Sequence, residues 1–154
     1  MAPSLRGGSV GVFIADVRPR WSDMDAYGHV NHASTVTLLE EARIALLFGE
    51  AARHGAEGIS AGVVVARIVV DYHAPLIADG GTVRIAISLR EMRHASFTLD
   101  YEVHSGPSQD DPVAVTAETM LVPYDLSGNR PRRMSEAERD FLAAWRSNGG
   151  GHGA

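Results

Sequence analysis

One segment of the sequence, residues 31–48, predicts a long helix that is apolar around most of its circumference. Thr35, Leu38, Leu39 and Ala42 recur at the spacing of one helical face, and more apolar side chains lie on the other faces. A helix with this pattern has to be buried on several sides. The rest of the chain must therefore supply a surface that surrounds it.

The segments before and after this helix predict the strands of a largely antiparallel sheet. Residues 10–20 and 63–73 are rich in β-branched and aromatic side chains. Residues 82–90 and 95–104 alternate between apolar and polar side chains, and the short connection between them predicts an antiparallel hairpin. Another strand is expected at residues 113–122. Packed against one long helix, these strands predict an α+β fold.

The two ends of the chain are expected to differ in order. Ser135 and Glu138 have the spacing of a capping box, which predicts a C-terminal helix. Residues 1–9 are expected to form a flexible N-terminus and residues 148–154 a disordered tail. Residues 10–147 then form a single domain, as the length of 154 residues favours.

Composition excludes several classes of function. A net charge of -5 and a pI near 5.7 argue against a general nucleic-acid binder. No apolar run approaches the ~20 residues that span a bilayer, and the N-terminus lacks the apolar segment of a signal peptide, so we expect a cytoplasmic protein. The sequence contains neither cysteine nor lysine, which excludes thiol nucleophiles, thiolate metal sites and Schiff bases.

The segment WSDMDAYGHVNH, residues 21–32, places two carboxylates directly before the long helix. Asn31 is a preferred N-cap, whose side chain takes one of the first helical N–H groups. The next amides point outward, and the helix dipole makes them a binding place for an anion or a developing oxyanion. A carboxylate and an oxyanion site are therefore close in sequence.

Several segments together resemble a known family. The run D-x-D-A-Y-G-H-V-N-H is followed by a helix ending E-E-A-R, by VDYHAPL, by the hairpin LREMRHASFTLDYEV and by a strand ending VPYD. In this order they resemble the acyl-CoA thioesterases of the hotdog fold, and most closely the 4-hydroxybenzoyl-CoA thioesterase-like family. The resemblance covers most of the chain, from Val10 to Tyr124.

This resemblance implies a five-stranded antiparallel sheet wrapped around the long central helix, with the C-terminal helix added. It also implies a homodimer, in which two sheets join into one with active sites at the interface, or a homotetramer built as a dimer of dimers. The implied substrate is an acyl-CoA or an acyl-carrier-protein thioester, with no cofactor and no metal.

The resemblance assigns the catalytic carboxylate to Asp25 and the oxyanion-binding amide to His32. One such donor can be worth ~3 kcal/mol in the transition state. Asp25 would either attack the thioester carbonyl as a nucleophile or deprotonate the attacking water as a general base, and both routes stay open. Asn31 as the helix cap and His29 in the loop complete the expected catalytic set.

Four residues are expected to bind the substrate. The guanidinium groups of Arg90 and Arg93, which flank the hairpin turn, suit the phosphates of coenzyme A. Ser96 matches a family position near the path of the pantetheine, and Tyr27 lies in the loop motif. A solvated charge run is the alternative interpretation of the two arginines.

Other interpretations of the same residues remain open. Asp23 is expected to be a turn residue. A metal site formed by Asp23, Asp25, His29 and His32 is conceivable from the ligand types. Other functions of the same fold are non-catalytic acyl-CoA binding and a hydratase or dehydratase activity.

The end of the long helix offers a further alternative. Glu40 or Glu41 could serve as the acid, because another branch of hotdog thioesterases uses a helix glutamate. The presence of Asp25 argues against that choice. Glu41 and Arg43 are expected to form a structural pair on the helix surface.

Overall fold

The computed structural model describes residues 4–6 and 11–147. Within them the elements are, in chain order, β1 (Ser4–Arg6), β2 (Phe13–Val17), a 3₁₀ turn (Trp21–Asp23), α1 (His32–Ile44), a π-helix (Ala45–Glu50), α2 (Ala51–Arg53), a second 3₁₀ turn (Glu57–Ala61), β3 (Val63–Tyr72), β4 (Val83–Met92), β5 (Phe97–His104), β6 (Val113–Asp125), β7 (Arg130–Pro131) and α3 (Glu136–Ala143).

The strands form one antiparallel sheet in the order β1-β2-β4-β5-β6-β3, with the short β7 paired to β6. The predicted α+β architecture is confirmed: five strands, β2 to β6, curve around α1, and α3 follows at the C-terminal end. The predicted hairpin is β4 and β5. Alternation along these strands places one set of side chains on the inner face, toward α1, and the other set on the outer face.

The core lies between the inner face of the sheet and α1. Leu38, Leu39 and Ala42 of α1 are buried, as predicted, and pack against inner side chains of the sheet. The predicted inner face of β5 is also confirmed, since Phe97, Leu99, Tyr101 and Val103 are buried. Burial of each large apolar side chain contributes about 1.5–3 kcal/mol, so this interface is the main source of stability.

Helix α1 contacts β2 and β4, and the inner face of β3 is only partly covered, since Val63 and Val70 pack against the core. Strand β3 pairs with β6 alone among the described residues, so it is an edge strand. Its inner-face side chains Val65, Ile68 and Tyr72 are 46%, 37% and 48% exposed. A long edge strand with exposed apolar side chains is a surface suited to pairing with another strand.

The predicted end of the long helix was wrong. Instead of stopping before Gly49, the chain continues from α1 into the π-helix and then into α2. Leu46, Leu47 and Ala51 are buried in this continuation. Their burial outweighs the cost of about 1 kcal/mol for a glycine inside a helix.

The N-terminal segment also differs in part from the prediction. Ser4–Arg6, within the stretch expected to be flexible, pairs with β2 as an edge strand. The predicted disordered tail, residues 148–154, and residues 1–3 and 7–10 lie outside the described residues. The capping box that starts α3 is confirmed: the Ser135 hydroxyl accepts from the Glu138 N–H, and the Glu138 carboxylate accepts from the Ser135 N–H.

Candidate active site

Asp25 lies in a tight loop between β2 and α1. One oxygen of its carboxylate, Oδ1, accepts hydrogen bonds from the Tyr27 N–H at 2.9 Å and from the His29 N–H at 3.4 Å. The Asp25 N–H donates to the His29 carbonyl, and Gly28 allows the reversal with a φ of 76°. The second oxygen, Oδ2, accepts no hydrogen bond from the described residues. The loop therefore fixes the carboxylate while leaving one oxygen available.

Asp23 has the structural role that the sequence predicted. Its Oδ2 accepts from the Arg20 N–H at 2.7 Å, and its carbonyl accepts from the Asn31 N–H at 2.8 Å. Asn31 is the N-cap of α1, and its Oδ1 accepts from the Ala33 N–H at 2.8 Å. These bonds attach the loop of Asp25 directly to the start of the helix.

The amide of His32 is a free donor at this helix start. As the first helical residue, His32 has no intrahelical acceptor for its N–H. Within residues 11–147 no loop atom accepts it either. The helix dipole adds a partial positive charge at the same point. An anionic oxygen can therefore bind here without displacing a protein acceptor.

Tyr72, at the end of β3, contacts the start of α1 from the sheet. Its hydroxyl donates to the His32 carbonyl at 2.6 Å. Partial burial of the phenol raises the pKa of Tyr72 above its ordinary value, so the hydroxyl remains a donor at neutral pH. Sequence reasoning did not single out this residue, because the contact joins positions that are 40 residues apart.

The remaining predicted residues of the loop are exposed. The side chains of His29 and His32 point outward, and neither ring has a hydrogen-bond partner in the part of the chain that the structure describes. Tyr27 is 85% exposed. The structure thus brings Asp25, His29, Asn31 and His32 together through the loop and the helix start, with Tyr27 at its rim.

The expected pair of Glu41 and Arg43 is wrong. Glu41 accepts from Arg20 Nη2 at 2.6 Å, and this hydrogen bond raises the pKa of Arg20. Arg43 points to the opposite margin of α1, where its Nη1 donates to the Tyr101 hydroxyl at 3.4 Å. Residues two apart on a helix do not face each other, which explains the difference.

Three of the four predicted substrate-binding residues line one groove of about 250 Å³ at the turn end of the β4–β5 hairpin. We call it the arginine groove. Its lining includes Arg90, Arg93 and Ser96, as predicted, and adds Arg67 from the edge strand β3. Tyr27 does not belong to it.

The arginines of this groove already have carboxylate partners. Arg90 bonds to Asp100 at 2.8 Å and to Glu118 at 2.9 Å, and the bond to Asp100 raises the pKa of Arg90. Arg67 also contacts Glu118, at 3.2 Å. Arg93 is the most exposed of the three, with a side chain 71% accessible and one exposed partner, Glu91. Arg93 is thus the guanidinium most available to a phosphate.

The Asp25 loop and the arginine groove, the two predicted parts of the site, lie far apart within one chain. The strand register puts Val65 of β3 at the hairpin end of the sheet, near Phe97, and puts Tyr72 at the other end. Seven residues of strand correspond to ~23 Å. Arg67, Arg90 and Glu118 are on the outer face, whereas Tyr72 reaches His32 from the inner face. One chain does not form a continuous site from both parts.

The described residues form neither a metal-binding cluster nor a helix that could span a membrane. Among the described residues no group of three or more His, Asp or Glu side chains is placed to share a metal ion. The conceivable metal cluster of Asp23, Asp25, His29 and His32 therefore does not assemble within these residues. No helix in the described ranges is long and apolar enough to cross a membrane.

Comparison with known protein families gives a match over most of the chain. The sequence model of the Thioesterase-like superfamily matches residues 19–145, which include the Asp25 loop, α1 and the arginine groove. No curated protein matches the chain by sequence.

Solved structures resemble the whole domain. A Thermus thermophilus thioesterase solved with coenzyme A and zinc is 28% identical, with a TM-score of 0.70 over 88% of this chain and 95% of that one. The structure of a predicted thioesterase from Bacillus stearothermophilus is 20% identical, with a TM-score of 0.72 over 90% and 99%. A Staphylococcus aureus protein in complex with CoA is 12% identical, with a TM-score of 0.70 over 89% and 84%. The last two show the shared fold.

Proposed function

The chain belongs to the thioesterase-like superfamily, and on that premise we propose that it hydrolyses an acyl-CoA or acyl-carrier-protein thioester to a free acid and a thiol. The observation that carries this proposal is the arrangement at the helix start. Asp25 keeps one free carboxylate oxygen in the loop that is hydrogen-bonded to the helix start, where the N–H of His32 has no acceptor among the described residues.

The proposed reaction uses these two groups in turn. The thioester carbonyl oxygen accepts from the His32 N–H, which stabilises the negative charge that develops when the carbonyl is attacked. Asp25 Oδ2 either attacks the carbonyl carbon, giving an anhydride that water then hydrolyses, or takes a proton from the water that attacks directly. In both routes the C–S bond breaks and the thiol leaves with a proton.

Coenzyme A is the carrier that the arginine groove favours. Its lining holds three arginines against two glutamates, Arg67, Arg90 and Arg93 against Glu91 and Glu118. The 28% identical Thermus thermophilus relative was solved with coenzyme A. We propose that Arg93 pairs with a phosphate and that Ser96 lies beside the path of the carrier.

A homodimer would join the two parts of the site. In a twofold antiparallel pair of β3 strands, the hairpin end of one protomer lies beside the Tyr72 end of the other. The exposed edge and apolar side chains of β3 suit this pairing. Each active site would then take its Asp25 loop from one protomer and its arginine groove from the partner, and further association would give a tetramer.

The test is release of free thiol from a panel of aromatic and aliphatic acyl-CoAs of different length. We expect turnover by the wild type and a loss of two or more orders of magnitude in Asp25→Asn, which keeps the loop acceptor and removes the charge. Asp23→Asn is the matched control, because Asp23 is used within the loop and should keep most of the activity. Equal turnover in Asp25→Asn and the wild type would remove Asp25 from the mechanism.

A further inference from the structure

A polar cluster interrupts the apolar inner face of the sheet. Arg43 of α1 donates to the Tyr101 hydroxyl of β5 at 3.4 Å, and that hydroxyl is 2.8 Å from the Thr119 hydroxyl of β6. Tyr101 and Thr119 are almost completely buried, with 2% and 0% exposure. The cluster lies apart from the Asp25 loop and from the arginine groove.

Arg43 has no acidic partner among the described residues. Arg20, Arg90 and Arg132 each form an ion pair with a carboxylate. Arg43 is partly buried, and its single hydrogen bond among the described residues goes to a neutral hydroxyl at long distance. A guanidinium carries five N–H donors, so most of them have no protein acceptor here. Removing such a charge from water without a counter-ion is unfavourable.

The position of Arg43 relates it to the proposed oxyanion site. His32, Val36, Leu39 and Arg43 follow the spacing i, i+4, i+7, i+11, so they share one face of α1. Tyr72 contacts His32, while Thr119 pairs with Ile68, four residues earlier on β3. Four residues of strand correspond to ~13 Å along β3 between Ile68 and Tyr72, and the eleven residues from His32 to Arg43 correspond to ~16 Å along α1.

Apolar side chains with partial exposure lie between these two points. They are Val36 on α1 and Ile68 and Tyr72 on the inner face of β3. An acyl group bound at the His32 amide can extend along these side chains toward Arg43. An apolar path that ends at a cation without a counter-ion suits an acyl chain that ends in an anion.

We propose that Arg43, with the Tyr101 hydroxyl beside it, binds a carboxylate at the far end of the acyl group, so that the preferred substrate is a thioester of a dicarboxylic acid. This inference rests on the proposed thioesterase function and names the substrate class of that same site. The planar fork of a guanidinium matches a carboxylate with two parallel hydrogen bonds. An unsubstituted acyl chain of equal length leaves Arg43 without a counter-ion, and that difference is the source of selectivity.

The first experiment compares matched pairs of substrates. For acyl chains of 4 to about 12 carbons, kcat/KM is measured for the ω-carboxyacyl-CoA and for the unsubstituted acyl-CoA of the same length. We expect a preference of at least about tenfold for the carboxylated member at one intermediate length, because only that length places its carboxylate at Arg43. Longer and shorter pairs should show a smaller ratio.

The second experiment alters the cluster. In Arg43→Gln the ratio of kcat/KM for the ω-carboxyacyl-CoA to kcat/KM for the unsubstituted acyl-CoA should fall by at least about tenfold. In Arg43→Lys, which keeps the charge without the planar fork of the guanidinium, this ratio should take an intermediate value. Arg53→Gln is the matched control, because Arg53 is exposed and, among the described residues, its side chain pairs with Glu50 alone. Circular dichroism and thermal melting establish that each variant is folded.

The outcomes separate this inference from the proposed function. Absence of a preference at every length in a wild type that hydrolyses acyl-CoAs overturns the role of Arg43 alone, and so does an equal fall of kcat/KM for both members of a pair in Arg43→Gln. If the wild type hydrolyses nothing, the proposed function fails. Calorimetric binding of ω-carboxyacyl-CoA and acyl-CoA to wild type and Arg43→Gln then decides: a wild-type preference that the variant loses supports the role, and equal affinities overturn it.

Discussion

At the scale of single residues, Tyr72 links the edge strand β3 to the start of α1. Replacement of Tyr72 by Phe removes the hydroxyl that donates to the His32 carbonyl. The helix start is then held less firmly, and the loss of one partly exposed hydrogen bond of about 0.5–1 kcal/mol should lower kcat about threefold. KM should change less, because the contact does not involve the substrate.

Steady-state kinetics on the best acyl-CoA of the panel measure this effect. Tyr124→Phe is a matched control, since within residues 11–147 that hydroxyl bonds to Asn129 alone, in a turn at the other end of β6. A rise in KM without a change in kcat would contradict the positioning role of Tyr72.

The catalytic loop could be predicted from the sequence because its interactions are local. Asp25 bonds to residues two and four positions away, and Asn31 caps a helix that starts at the next residue. The partners of His32 and Arg43 could not be predicted. Tyr72 is 40 residues from His32 and Tyr101 is 58 residues from Arg43, and no local pattern encodes such pairs.

At the scale of elements, α3 is attached to the domain by a buried ion pair. Glu138 accepts from both terminal nitrogens of Arg132, at 2.8 and 2.7 Å, and Arg132 also donates to the Gly58 carbonyl. Burial alone would raise the pKa of Glu138, but the bonds from Arg132 and Ser135 lower it below its ordinary value. The charged form is therefore the one that stabilises the fold.

Glu138→Gln should lower the free energy of unfolding by about 2–3 kcal/mol at neutral pH, because Arg132 loses its counter-ion. The pKa of Glu138 is lower in the folded than in the unfolded state, so its contribution is complete above about pH 4.3 and is lost as the pH falls further. The difference between wild type and variant should therefore shrink in acid.

Urea denaturation between pH 7 and pH 3 tests this dependence. Glu136→Gln, an exposed acid on the same helix, is the control and should change stability little. A difference between wild type and Glu138→Gln that stays constant down to pH 3 would contradict the assigned role of the charge.

Element types were predictable where the hydrophobic period is regular. Strands β4 and β5 alternate strictly, and the capping box marks the start of α3. The π-helix and β1 were not predictable. The π-helix depends on burial of Leu46, Leu47 and Ala51 against the rest of the fold, and β1 depends on a three-residue pairing with β2.

At the scale of the whole molecule, the Asp25 loop and the arginine groove are widely separated. This separation predicts that the two parts of one chain cannot act on the same substrate molecule. Asp25 and Arg93 lie at opposite ends and on opposite sides of the same sheet. The sequence pattern predicted both parts but gave no distance between them, because strand register and curvature are set by contacts across the fold. A twofold pair of β3 strands would bring the Asp25 loop of one protomer to the arginine groove of the other.

Mixing two inactive variants tests this arrangement directly. Asp25→Asn and Arg93→Glu should each lose most activity alone, the first in catalysis and the second in binding of the carrier. When the two chains are co-expressed, heterodimers contain one site made from two unaltered parts and one made from two altered parts. Random pairing then restores about a quarter of the wild-type sites.

A third variant keeps this test specific to the dimer. Ile68→Glu places a charge near the middle of β3, where a twofold pair brings the residue close to its own copy, and the repulsion should give a folded but monomeric chain by sedimentation. Because Ile68 also lies on the proposed acyl path, sedimentation and not activity is the readout for this variant. If each protomer instead carried a complete site, co-expression of Asp25→Asn and Arg93→Glu would restore no activity, because neither chain keeps both residues unaltered.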